Sequence, residues 1–425
     1  MSKPAKDGYL AGRVGLFRLR DFRLLWFGET TSVLGTTISE LALPLIAVVT
    51  LHASTFQVGV LTGVTWLPWL VVGLPAGAWV DRFHRRPLML ICDAISFILL
   101  LSVPLAAHLG VLTLTQLLVV AFLAGVVSVF FATAYQVYLP DIVATDDLTE
   151  ANAKLQGSAS AAEVAGPGLA GLLTQLAGAV TGLVADAFSF AVSAFCLLRI
   201  NSPDIPPATI ERHSTLFAEI AGGLRFLAND PFLRVQAVFG GLSNLTLTGY
   251  QSILVVFLVR QVGISPGTVG LVLAGMSTGG IAGAASARAI GRRLGTARGQ
   301  RISVMCATPF GLLIPLAEPG IKLGLVVVGG FAIGLGFVCG NILKDGFRQS
   351  YCPRHILGRV IVSMQFVNYG AIPIGALLGG TLGTALGLRP TLWIMLVGLM
   401  LGSLILLIGP GRHQRDFPAR PAATA

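Results

Sequence analysis

Gly77-Ala78-Trp79-Val80-Asp81-Arg82-Phe83-His84-Arg85-Arg86 gathers four charged side chains into ten positions of a chain in which only 11% of residues are charged. Apolar runs flank it on both sides, at 56–80 and 87–107, so it reads as the polar turn of a hairpin between two buried helices. Working outward, ten further apolar stretches follow the same plan, at 22–50, 112–137, 155–176, 179–199, 235–258, 266–287, 301–317, 320–342, 359–386 and 390–409. A soluble domain carries about 25% charged residues, whereas this chain of 425 residues is 54% hydrophobic with a mean hydropathy of +0.81. A membrane-spanning helix needs roughly 20 apolar residues. The expectation is an all-α polytopic membrane protein with 12 transmembrane helices and no separate soluble domain.

Charge sets the expected orientation. The net charge of +10 is spread over alternate loops and forms no single patch, which speaks against nucleic acid as a partner. With both termini inside, the inner segments hold 26 of the Lys and Arg residues and the outer ones only Arg260, Lys322 and Arg389, in keeping with the positive-inside rule. The inner loop from Pro140 to Lys154 departs from this pattern with Asp141, Asp146, Asp147 and Glu150, but acidic residues count little in that rule. The first apolar run is too long for a signal-peptide core, so the N-terminus is expected to remain attached and cytoplasmic in a cell-membrane protein. The five cysteines lack CxxC spacing and read as core residues, with no metal, disulfide or cofactor role. No GxxxxGK[ST] loop is present, so energy must come from a gradient.

Two internal echoes share one offset. Gly77, Asp81, Arg82, Arg85 and Arg86 are matched by Gly283, Ala287, Arg288, Arg292 and Arg293, and Pro167 within Gly166-Pro167-Gly168-Leu169-Ala170-Gly171 is matched by Pro373. Gly77 and Gly283, and likewise Pro167 and Pro373, lie 206 positions apart. Such a repeat predicts two pseudo-symmetric six-helix bundles: an N-terminal segment 1–21, bundles at 22–200 and 231–410, a cytoplasmic connector at 201–230 and a tail at 411–425.

The hairpin resembles the signature between the second and third spans of the major facilitator superfamily, and the resemblance extends over nearly the whole chain. Leu139-Pro140-Asp141, Leu148-Thr149-Glu150-Ala151-Asn152, Gly166-Pro167 and Gly358-Arg359-Val360 are similar to the branch of macrolide efflux proteins and an enterobactin exporter. His84 stands where the superfamily usually has glycine. The resemblance implies the major facilitator fold and a conformational latch in which Asp81, sharing a helix face with Gly77, meets the start of span eleven at Gly358 and Arg359, where a helix N-terminus carries partial positive charge. Arg82, Arg85 and Arg86 belong to the latch or act as positive-inside anchors, and Asp93 is expected to pair with the hairpin arginines. Gly166, Pro167 and Gly171 resemble the antiporter signature of span five, with Ala162 and Ala170 in place of two glycines.

Ionisable groups inside spans are costly and tend to mark pathways. Glu29 and Glu40 fall on nearly the same face of span one, about 16 Å apart at 1.5 Å per residue. Glu40 is the first choice for proton coupling, followed by Glu163 beside the Pro167 kink, with Glu29 and Asp186 as further candidates. Asp186 also reads as a structural bond to a neighbouring helix. The six histidines map to loops or tails, which leaves proton work to carboxylates. Tyr135, Gln136, Asn244, Tyr250, Gln251, Asn341, Gln365 and Asn368, with Trp66 and Trp69, are the expected cavity lining. The expectation is a monomeric secondary transporter, with a small amphipathic molecule and protons as partners and the lipid bilayer as solvent. A proton-linked importer or lipid transporter on the same fold is the nearer alternative, and a polytopic membrane enzyme the remote one.

Overall fold

The computed structural model describes residues 15–80, 83–201, 224–352 and 354–418. Those residues are helical nearly throughout. We label the main helices α1 (Arg20–Leu45, continued by a wider turn to Thr50), α2 (Thr55–Val71), α3 (Gly73–Val80), α4 (Arg85–His108), α5 (Leu114–Ile142), α6 (Leu148–Ala177) and α7 (Thr181–Arg199). After the connector come α8 (Pro231–Val256), α9 (Pro266–Leu294), α10 (Thr296–Gly311), α11 (Leu323–Tyr351), α12 (Arg354–Ala385), α13 (Leu388–Ser403) and α14 (Ile405–Ile408). Counting α2 with α3 and α13 with α14 as broken single spans, each of the twelve expected spans has its helix. Among the described residues, nine helices are long and apolar enough to cross a membrane, and α2 is a shorter apolar helix.

Local chemistry starts these helices where it should. Asp230 accepts the backbone N–H groups of Phe232 and Leu233 at 2.9 Å ahead of Pro231 at the first helical position of α8, and Ser265 does the same for Thr268 ahead of Pro266 in α9; side-chain oxygens and proline each suit a helix start. Several helices outrun their apolar windows on the side expected to be cytoplasmic. α6 begins at Leu148 and α11 ends at Tyr351, because a helix stops where its backbone is capped, while hydropathy falls where the lipid ends.

The chain divides by contact into two compact units, residues 1–43 with 71–211 and residues 44–70 with 212–425. The sequence reading had placed 44–70 with the first bundle. In the second unit α2 instead lies against α12: a side chain at Gly59 would strike the Ala376 carbonyl and Gly380, and Gly63 faces Pro373 and Ala376. Small residues four apart allow this close backbone approach. Arg260 donates to the Ala53 carbonyl at 2.7 Å, holding the α1–α2 loop. The other two basic residues of the segments expected to face outward are likewise engaged, Arg389 with the Ala317 carbonyl and Lys322 with Glu318 at 2.6 Å. That ammonium holds the exposed Glu318 carboxyl below its ordinary range.

At the other end of the second unit the tail is fastened to the α9–α10 junction. Asp416 accepts the Thr296 N–H at 2.8 Å, the Phe417 N–H reaches Thr296 Oγ1 at 2.9 Å, Arg301 donates to the Gly411 and Gln414 carbonyls, and Phe417 stacks on Phe347 with centroids 4.3 Å apart. Aromatic pairs of this kind contribute about 0.5–1.5 kcal/mol beyond burial. Phe417→Ala is therefore expected to lower the melting temperature of the purified protein by on the order of 2–4 °C, read by differential scanning fluorimetry against an Ala425→Ser control.

Candidate functional site

The first unit concentrates acid in an apolar setting. Between positions 24 and 198 its only Lys and Arg residues are Arg82, Arg85, Arg86 and Lys154, all near the hairpin or the start of α6, while Glu29, Glu40, Asp93, Glu163 and Asp186 lie within helices. Glu40 on α1 is within electrostatic reach of Glu163 on α6 and of Asp186 on α7. Glu40 and Glu163 are both exposed, whereas Asp186 is only 2% exposed.

Asp186 is held by hydroxyls. Ser39 donates to its Oδ2 at 2.5 Å from α1, and Ser189, one turn along α7, donates to its Oδ1 at 3.1 Å. This is the interhelical structural bond that the sequence allowed. Helix packing brings it about: a side chain at Gly35 would run into Ser189 and Asp186, and one at Gly166 would run into Thr37. Thr37 bonds the Ala162 carbonyl at 3.3 Å, so α1, α6 and α7 are stitched together around the Glu40 carboxyl. Pro167 sits within the continuous helix α6, and Gly171 is buried on it. Ser39 and Thr37 were missed in the sequence reading; their spacing from Glu40 on one helix was the available signal.

The hairpin arginines engage the ends of other helices. Arg85 forms an ion pair with Asp141, Nη1 to Oδ2 2.6 Å, joining the start of α4 to the end of α5. Arg86 donates to the Leu197 and Leu198 carbonyls at 2.9 and 2.8 Å, capping α7, where cations suit the dipole. The expected pairing of Asp93 with these arginines is thereby corrected: Asp93 lies about two turns further into α4, and its carboxyl oxygens have no hydrogen-bond partner among the described residues. Asp81 and Arg82 lie outside the described residues. Gly77 is on α3, and Gly358 and Arg359 are in the opening turns of α12.

Of the expected cavity residues in the second unit, Gln251, Asn341 and Gln365 are exposed and Asn244 and Asn368 half-buried. Asn244 Nδ2 donates to the Asn368 carbonyl at 3.3 Å, and Asn341 accepts from Lys344 Nζ at 2.8 Å. Tyr250 does not line a cavity: at 2% exposure it is core, because adjacent residues on a helix point about 100° apart and Gln251 takes the open face. Trp66 and Trp69 gather around Tyr369, with centroids 6.3 and 5.9 Å apart. Tyr369 and Lys344 were missed. In the first unit Gln136 is exposed and Tyr135 half-buried. Among the described residues there is no group of three or more His, Cys, Asp or Glu side chains placed to hold a metal.

A helical membrane chain with paired intramembrane carboxylates, polar open faces and a signature hairpin defines a secondary transporter and not an enzyme. The chain belongs to the transmembrane secretion effector family of the major facilitator superfamily, whose model matches residues 12–416. It is 28% identical over 409 residues to the multidrug efflux pump Tap of Mycolicibacterium fortuitum, covering 94% of this chain and 98% of that one. It is 25% identical over 431 residues to the enterobactin exporter EntS of Escherichia coli, covering 95% of each. In fold it is similar to a bacterial homologue of the iron transporter ferroportin in an inward-facing state, with a TM-score of 0.74, 17% identity and 94% and 100% of the two chains covered. It is likewise similar to the nucleoside transporter NupG, with a TM-score of 0.71, 15% identity and 91% and 98% covered.

Proposed function

We propose that this protein exports an amphipathic small molecule, a drug, a macrolide-like natural product or a siderophore, in exchange for protons by alternating access. It works as a monomer in the bacterial cell membrane with both termini in the cytoplasm. The observation that carries the reading is the Glu40–Glu163 pair: two carboxyls on packed helices, within electrostatic reach of each other, in a bundle whose membrane interior supplies no cation to neutralise them. Two like charges so placed compete for one proton. A proton taken up there changes the pair's charge by one, and an amphipathic cation or a polar group of the substrate competes for the same carboxylates. Export is favoured by the likeness to the Tap and EntS efflux proteins over most of the chain. Asp186, already satisfied by Ser39 and Ser189, holds α1 against α7 beneath this pair. Asp81, with Gly77, Gly358 and Arg359, serves as the latch.

The test is proton release from everted vesicles holding an imposed pH gradient, read by a quenched dye as antibiotics, dyes and siderophores are added one at a time. Wild type should show dequenching with at least one compound, and Glu40→Gln and Glu163→Gln should lose it at equal membrane abundance. Dequenching that both variants retain rules out this pair as the coupling site. Silence of the wild type across the panel transfers the reading to an importer or lipid transporter.

A further inference from the structure

Asp93 is used by nothing described so far. It is 1% exposed, and both of its carboxyl oxygens lack a hydrogen-bond partner among the described residues. Every helix packed around it presents groups that cannot neutralise a negative charge. From α1 comes Glu29, within electrostatic reach of Asp93. From α5 comes Tyr135, which faces Glu29 and whose buried hydroxyl also has no partner. From α7 come Cys196 and Ser193, the latter's hydroxyl a neutral donor group beside Asp93 that makes no well-formed hydrogen bond to it. Cys92 neighbours it on α4. The arginines nearest in sequence are committed, Arg85 to Asp141 and Arg86 to the end of α7.

An ionised carboxylate with no cation beside it costs several kcal/mol to keep in a protein interior, and a second carboxylate beside it adds like-charge repulsion. A metal ion would relieve both, but the surrounding His, Cys, Asp and Glu groups do not form a ligand set among the described residues. A proton relieves both and needs no further ligands. A small pocket lined by Gly28, Glu29, Phe131, Ser193 and Cys196 opens beside Glu29, and a proton reaches the pair from that side.

We propose that Asp93 and Glu29 form a second proton-binding site in the first unit, taking one proton between them and standing apart from the Glu40–Glu163 pair. Along α1 the two sites are about 16 Å apart. The proton comes from the side of the pocket beside Glu29; with it the pair carries one negative charge, without it two, and no other bond is made or broken. Its use in transport rests on the proton-exchange reading above, since a carrier that binds protons at two depths can exchange two charges per substrate.

Proton binding can be read without substrate or transport. The purified full chain in lipid nanodiscs is taken from acid to alkaline pH, and the infrared difference spectrum is followed at the carbonyl stretch of protonated carboxylic acids. Asp93→Asn and Glu29→Gln should each remove the same band, Asp93→Glu should keep a shifted one, and Glu40→Gln should leave it in place. Elution as a monodisperse species checks that each variant is folded. Retention of every band in folded Asp93→Asn overturns the site. So does a band that is removed at constant acid pH by sodium, potassium or calcium salts, which would make the occupant a metal cation. Failure of the Glu40 and Glu163 transport test leaves the infrared result unchanged, so the two readings fail separately.

Discussion

Asp141→Ala is expected to reduce compound-driven proton release about tenfold or more, and Arg85→Ala to do the same. Their side chains are only 10% and 16% exposed, and they meet at 2.6 Å between the end of α5 and the start of α4. Removing one partner strands the other charge where water reaches it poorly, which in buried pairs costs about 3–5 kcal/mol. Each factor of ten in a population needs only about 1.4 kcal/mol, so a loss of even half that size would redistribute the conformations a transporter must cycle through. Arg86 multiplies the effect: it caps α7 from the next position, so a hairpin that shifts when Arg85 is released drags on three helices at once. The charge-swapped double variant, Arg85→Asp with Asp141→Arg, should recover part of the loss, giving a coupling energy in a double-mutant cycle. Both single variants should reach the membrane in normal amount. If the swap simply adds the two losses, Arg85 is no more than a positive-inside anchor and the ion pair has no part in the cycle.

That pair shows where a sequence stops being legible. Charge patterning singled out Arg85 because four charges in ten residues are conspicuous in so apolar a chain, but its partner lies 56 residues away at the end of α5, in an acidic stretch that looked only like an exception to the charge rule. Helix positions were legible because lipid demands some twenty apolar residues per span. Helix ends were less so, since capping and hydropathy end at different places, as in α6 and α11. Tyr250 could have been rejected beforehand, since it and Gln251 cannot share a helix face. Asp93 was misassigned because proximity in sequence to three arginines outweighed the two helical turns that separate them. The placement of α2 with the second unit turns on the match of Gly59 and Gly63 to Gly380, Ala376 and Pro373, a complementarity that no single stretch contains.

Gly279→Leu is expected to abolish folded protein altogether, the largest stability effect foreseen here. Gly279 and Gly283 are four residues apart on α9, and both press on the backbone of α11: a β-carbon at Gly279 would meet the Phe331 carbonyl and its flanking backbone atoms, and one at Gly283 would lie 3.0 Å from the Leu335 Cα. A flexible side-chain end could swing aside, but a carbonyl inside a continuous helix cannot move without taking the helix with it. Helix association in lipid draws on close packing and lacks the hydrophobic drive available in water, so forcing α9 from α11 removes the contact that holds them. Overpacking a soluble core typically costs about 1–3 kcal/mol; here the obstacle is main chain on a helix that also carries Asn341 and Lys344, and the cost should exceed that range. Gly324→Leu is the matched control, because Gly324 lies on α11 with open space around it and should tolerate the same side chain. Detergent-solubilised material assayed by fluorescence-detected size exclusion should show a monodisperse peak for Gly324→Leu and none for Gly279→Leu. A normal peak for Gly279→Leu would mean that α9 and α11 are not packed backbone to backbone.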